Sequence, residues 1–146
     1  MSSRTATVAA RFPQASLYVA VGLGSAVGGT ARWLISAGLQ DLPAGGLPWG
    51  TLFVNVTGSL LIGFYAALAG PDGRLFPGPR HRHFVMTGLC GGYTTFSIFG
   101  LESLQLAGTG RVAPAALYVG VSLAGWLVAA WTGYALATRI NRLKRS

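Results

Sequence analysis

The sequence predicts an all-α membrane protein of four transmembrane helices, the third of them broken at its middle. Three observations predict it. The chain is 51% hydrophobic and only 10% charged, whereas a soluble domain carries about 25% charged residues. Its apolar residues fall into four blocks, at about 17–39, 51–69, 84–106 and 113–137, each close to the ~20 residues that span a hydrocarbon core. Within the third block, Gly91-Gly92-Tyr93-Thr94-Thr95 interrupts the helical pattern.

The first block follows Arg4 and Arg11 and contains Gly24-Ser25-Ala26, which together look like a signal peptide. The apolar pattern runs past those residues to Leu39, which favours a first membrane helix. Gly24 and Gly28 form a small-xxx-small pair that lets another helix approach closely. Arg32 lies about two turns before the block's end. Two readings of it stay open: snorkelling to the interface, and an electropositive vestibule for an anion. The second block holds Asn55, with Thr57 and Ser59 nearby. An asparagine amide has donors and an acceptor, so it either joins two helices or binds a ligand.

In the third block each glycine costs roughly 1 kcal/mol of helix relative to alanine. A helix broken at mid-membrane bares backbone amides and carbonyls that lipid cannot satisfy. Such a break survives only where it is buried in protein, lines water or binds an ion. Phe96 and Phe99 follow at once, three residues apart. They read either as core or as ring edges, the positive part of the quadrupole, turned toward an anion path. In the fourth block Tyr118 and Ser122 share one helix face. Their hydroxyls either bond back to their own helix or add donors to that path. The connections between blocks are short and rich in breakers: Asp41-Leu42-Pro43-Ala44-Gly45-Gly46, Pro71-Asp72-Gly73 and Gly108-Thr109-Gly110. Residues 1–146 read as a single four-helix membrane domain.

Net charge is +8, and its placement matters more than its size. With four spans, Arg4 and Arg11, the middle connection (Arg74, Arg80, Arg82) and the C-terminal tail (Arg139, Arg142, Lys144, Arg145) share one side of the membrane. That side then holds 9 basic residues against Arg111 alone on the other. The positive-inside rule puts both termini in the cytoplasm. The basic tails and the Arg80-His81-Arg82-His83 run read as topology signals and lipid-headgroup contacts, not as a nucleic-acid surface. Cys90 is the only cysteine, so neither an intrachain disulfide nor a cysteine metal cluster is expected. No nucleophile–base or metal-ligand constellation appears, which argues against an enzyme.

The polar residues converge on an anion, because donors from Asn55, Thr95, Tyr118 and Ser122 can replace a hydration shell. Acidic residues stand off the mid-span positions: Asp41 and Asp72 are in connections, and Glu102 is near the end of the third block. Proton-coupled transport asks for a membrane-embedded titratable group, so passive conduction is favoured. The alternative is a small four-helix proton-coupled exporter of the multidrug-resistance type, which asks for an acidic residue in the first helix. A third reading is a non-transporting membrane subunit in which the break and the polar track only pack.

At these residues the sequence resembles the Fluc (CrcB) family of fluoride-specific channels, over essentially the whole chain. Gly28-Gly29-Thr30-Ala31-Arg32-Trp33 looks like its first-helix arginine motif, and Pro48-Trp49-Gly50-Thr51-Leu52-Phe53-Val54-Asn55 like its P-x-G-T-x-x-x-N motif. Thr87-Gly88-Leu89-Cys90-Gly91-Gly92-Tyr93-Thr94-Thr95-Phe96-Ser97 is similar to its third-helix signature. The resemblance implies a passive fluoride-selective channel that lowers cytoplasmic fluoride, in the plasma membrane of a bacterial-type cell. It implies an antiparallel, dual-topology dimer with two fluoride paths. It also implies a structural, untransported sodium ion held by backbone carbonyls, which by motif position belong to Gly91 and Thr94. Asn55, Phe96, Phe99, Tyr118 and Ser122 fall on the family's pore positions, and Glu102 on an acidic one. Ile98 and Gly100 replace the family's hydroxyl residues, so no polar contact is expected at those two positions. Trp126 stands one turn after Ser122, where the family often has a hydroxyl, so the polar track is expected to be shortened. The charge bias leaves two assemblies open: a homodimer, and a heterodimer with an oppositely oriented homologue.

Overall fold

The computed structural model describes residues 11–39 and 46–142. Arg4, the connection at 41–45, Lys144 and Arg145 lie outside the described residues. Most of the described residues are helical, and none of them is in a strand. Helix α1 spans Arg11–Leu39 and α2 spans Trp49–Leu68. The third span is composite: α3 (Pro79–His83), a π-helical stretch (Phe84–Cys90), α4 (Gly91–Tyr93) and α5 (Phe96–Gly108). Helix α6 spans Val112–Arg142.

Three stretches, Trp49–Leu68, Pro79–Gly108 and Val112–Arg142, are long and apolar enough to cross a membrane. Helix α1, at 29 residues, matches them in length, but its glycines and Arg32 dilute its apolar run. Its helix nonetheless covers the whole of the predicted first block.

Backbone-to-backbone contact at glycines sets the packing. Gly24 and Gly28 of α1 lie against the backbone of Phe84 and Leu89, with no room for a Cβ. Gly63 of α2 meets the Ala130 carbonyl, and Gly133 of α6 meets that of Leu60. Small residues are what allow membrane helices to approach this closely. Pro79 opens α3 at a position where its missing N–H is not needed. Gly110, at φ +79°, makes the turn into α6.

Side chains then tie each end of the bundle. Arg111 donates to the Gly46 carbonyl (3.2 Å) at one end. At the other, Tyr65 meets His81 (2.9 Å) and Asn141 donates to the Ala67 carbonyl (3.0 Å). The middle connection and the end of α6 therefore share one end of the molecule, and Arg111 takes the opposite one. This is the separation of basic residues that the charge pattern predicts for those segments.

Candidate functional site

The third span breaks at the two threonines, not at the glycines. Gly91, Gly92 and Tyr93 are helical; Thr94 (ψ 161°) and Thr95 (φ −150°, ψ 123°) are extended. The interruption expected within Gly91-Gly92-Tyr93-Thr94-Thr95 is thereby narrowed to its two threonines. A Cβ on Gly92 would lie 2.6 Å from the Ser25 carbonyl oxygen, so that glycine serves the contact with α1.

Every backbone group freed by the break needs a partner. Asn55 supplies two at once. Its Nδ2 donates to the Thr95 carbonyl (2.8 Å), and its Oδ1 accepts from the Thr95 N–H (2.7 Å). The residue is 4% exposed. Thr95 then caps α5, its Oγ1 accepting from the Ile98 N–H (3.3 Å). Thr94 turns back, its N–H and its Oγ1 both donating to the Cys90 carbonyl at 3.0 Å. Gly58 of α2 makes room for this: its missing Cβ would strike the Thr94 methyl.

The last carbonyls before the break lose their helical donors in this arrangement, those of Gly91 and Thr94 among them. The Thr95 N–H, which a continuous helix would send to Gly91, goes to Asn55. The Ile98 N–H, which would go to Thr94, goes to the Thr95 hydroxyl.

Beside the break lies a cleft of about 250 Å³, whose walls include Asn55, Ser59, Gly91, Thr94, Thr95, Phe96 and Trp126. No carboxylate lines it. Asn55 uses one of its two amide hydrogens on Thr95, and the other has no partner among the described residues. Phe96 is 72% exposed and Phe99 is buried, their ring centroids 5.6 Å apart. Phe99 also packs on Tyr118 (5.4 Å) and, edge to face, on Trp126 (4.7 Å, 73°).

Deeper on the same α6 face, Tyr118 donates to Glu102 Oε2 (2.8 Å), while Thr51 donates to Oε1 (2.9 Å). One carboxylate thus joins α2, α5 and α6. Ser122 is fully buried, and its hydroxyl has no hydrogen-bond partner. It does not bond back to its own helix, the alternative open at the level of sequence.

The structure thus gathers Asn55, Thr95 and Phe96 at the cleft, with Phe99, Tyr118 and Ser122 adjoining. Arg32 does not line the cleft, and it makes no hydrogen bond or ion pair among the described residues. Thr51 was missed as Glu102's partner, although it stands one turn before Asn55 on the same motif. Trp126, met in the sequence only as a departure, stands in the wall of the cleft.

A family model described as "CrcB-like protein, Camphor Resistance (CrcB)" matches residues 19–134. The chain is 57% identical over 131 residues to a protein of Rhodopseudomonas palustris (strain BisB18) named fluoride-specific ion channel FluC 1. That match covers 90% of this chain and 93% of that protein. It is 54% identical over 138 residues to the protein of the same name from Bradyrhizobium diazoefficiens (strain JCM 10833 / BCRC 13528 / IAM 13628 / NBRC 14792 / USDA 110), covering 94% and 96%.

Proposed function

This chain belongs to the CrcB family, and from that membership and the geometry of its broken helix we infer that it is a passive fluoride-selective channel. It is a multi-pass protein of the bacterial plasma membrane, and not an enzyme. The exporter alternative is not favoured. Among the described residues the one acidic side chain within a span is Glu102, and it is engaged by Thr51 and Tyr118.

The observation that carries the pathway is the cleft at the break, with amide and hydroxyl donors and a phenyl ring in its wall and no carboxylate. A small anion stripped of water needs donors aimed at it without a fixed full charge that would trap it. Asn55 and Thr95 supply donors, Phe96 and Phe99 supply ring edges, and Ser122 continues the track along α6, beside Tyr118, whose hydroxyl is held by Glu102. Arg32, without a partner among the described residues of α1 and its neighbours, suits an electropositive vestibule leading to it. An inside-negative potential drives anions outward by about 2.3 kcal/mol per charge per 100 mV. Fluoride that enters as neutral HF and dissociates in the cytoplasm therefore leaves passively, and its cytoplasmic concentration falls.

The carbonyls of Gly91 and Thr94, among those that lose their helical donors at the break, suit a hard monovalent cation. They would hold a structural sodium ion, whose charge would satisfy the bared oxygens without being carried across. This reading predicts that replacing sodium by N-methyl-D-glucamine abolishes fluoride flux. Undiminished flux in its absence would remove the ion from the assignment.

The assembly that suits these features is a dimer of four-helix units inserted in opposite directions, α1 being the fourth span of each. The basic residues gathered at one end favour a fixed orientation and an oppositely biased homologous partner. The numbered names of both relatives suit cells that carry more than one such chain. Cysteines introduced at positions 3 and 146, labelled from each side of intact cells, test this. Labelling from both sides would point to a homodimer instead.

The deciding experiment is fluoride efflux from liposomes holding the purified protein, with sodium present and chloride as control. Fast fluoride efflux without chloride efflux is expected. Silence, both alone and with an oppositely oriented homologue, would defeat the reading.

A further inference from the structure

Two buried polar groups on one face of α6 have no partner: Ser122 Oγ and, one turn later, Trp126 Nε1. An indole N–H is a donor only, so what Trp126 lacks is an acceptor. Leaving a buried donor unmade is costly, and here the deficit stands at a functional place. Trp126 shares the wall of the cleft with Asn55, Thr95 and Phe96. Its ring packs edge to face on Phe99, with centroids 4.7 Å apart, and on Phe96 at 6.4 Å. By contrast Tyr118, one turn before Ser122, has its hydroxyl committed to Glu102. The donors free to serve a passing ion on this face are therefore Ser122 and Trp126.

We propose that the indole N–H of Trp126 is an anion-binding donor of the fluoride path, receiving the ion between Ser122 and the amide of Asn55. This rests on the channel reading above. The expectation from sequence that the polar track is shortened at this residue is then reversed: the track continues through a nitrogen donor. A bulky ring also suits the position, because it fills space around a small dehydrated ion while offering it a single N–H.

The test pairs a flux measurement with a direct view of the N–H. Trp126→Phe keeps the ring and removes the donor; fluoride efflux from liposomes is expected to fall by about tenfold, as for a lost hydrogen bond to a charge. In parallel, the indole N–H resonances of 15N-tryptophan-labelled wild type are followed as NaF or NaCl is added at constant ionic strength. The Trp126 resonance is expected to shift with fluoride and not with chloride. It is assigned by its absence in Trp126→Phe or, should that variant not fold, by elimination with Trp33→Phe, Trp49→Phe and Trp131→Phe. Wild-type flux in folded Trp126→Phe, or a resonance unmoved by fluoride, or one moved equally by chloride, would overturn the proposal. Wild-type protein that passes no fluoride, both alone and with an oppositely oriented homologue, would instead defeat the channel reading, and the resonance would still decide whether the indole binds the ion.

Discussion

Replacing Asn55 with alanine separates the two roles that its amide holds. In the structure the side chain bonds both the N–H and the carbonyl of Thr95, at 2.7 and 2.8 Å, from a buried position. Truncation leaves two buried backbone groups unpaired at about 1–3 kcal/mol each, so a loss of about 2–6 kcal/mol is expected. An ordinary side-chain hydrogen bond between membrane helices averages only about 0.6 kcal/mol. The gap between those figures is the test. The chain has one route of relief, which is to close the break so that the Thr95 N–H returns to the Gly91 carbonyl. That would require Thr94 and Thr95 to leave their extended conformations, against the packing of Thr94 on Gly58. Unfolding in mixed micelles by SDS titration measures the loss, and hydrogen exchange of the segment 91–98 reports whether the break persists. A loss near 0.6 kcal/mol with unchanged exchange would refute the reasoning, since the break would then hold without Asn55. Asn55→Asp is expected to be no milder, because it sets a carboxylate oxygen against the Thr95 carbonyl that now receives an N–H.

Three further outcomes follow from the same geometry. Phe96→Ile should suppress fluoride efflux with little change in unfolding, because the ring is largely exposed within the subunit; undiminished flux would take the ring out of the path. Tyr118→Phe removes one of the two donors on Glu102 and should cost about 1.5–3 kcal/mol, read by the same micelle titration. Equal stability would mean that the carboxylate finds another partner. Gly133→Ala pushes a methyl group onto the Leu60 carbonyl and should cost about 1–3 kcal/mol, visible as a lower yield of folded protein at unchanged expression.

The spans were legible because membrane helices are written in hydropathy, but their ends were not. Helix α1 begins at Arg11 and α6 runs to Arg142, beyond the apolar blocks at 17–39 and 113–137. Helix continues where lipid stops, and basic residues in the last turn of α6 suit its dipole. The break was legible to within five residues. Which of them opened the helix was not, since a glycine can loosen a helix or serve a close contact, and only the neighbour decides. Here Ser25 decides it for Gly92. At the site, Asn55, Thr95 and Phe96 stood out as polar or aromatic residues around the interruption. The bridge from Thr51 through Glu102 to Tyr118 did not, because it joins residues far apart in the chain. The spacing of Tyr118, Ser122 and Trp126 was in plain view, yet the size of tryptophan disguised it as an interruption.

The break also bears on the proposed dimer. Its inward side is closed within the chain: Asn55 satisfies Thr95, the Thr95 hydroxyl satisfies Ile98, and Thr94 returns to Cys90. Its other side is open, with Gly91 exposed and Phe96 among the most exposed large apolar residues. A bared carbonyl facing hydrocarbon costs several kcal/mol, and the helical donors of Gly91 and Thr94 have been drawn away by Asn55 and Thr95. The same hydrogen bonds that hold the helix open therefore create a demand they cannot meet. The proposed second subunit at this face, with a cation between the carbonyls, would meet it. On this reading the amide of Asn55 links both ions, with one hydrogen holding open the break that would seat sodium and the other facing the path that carries fluoride.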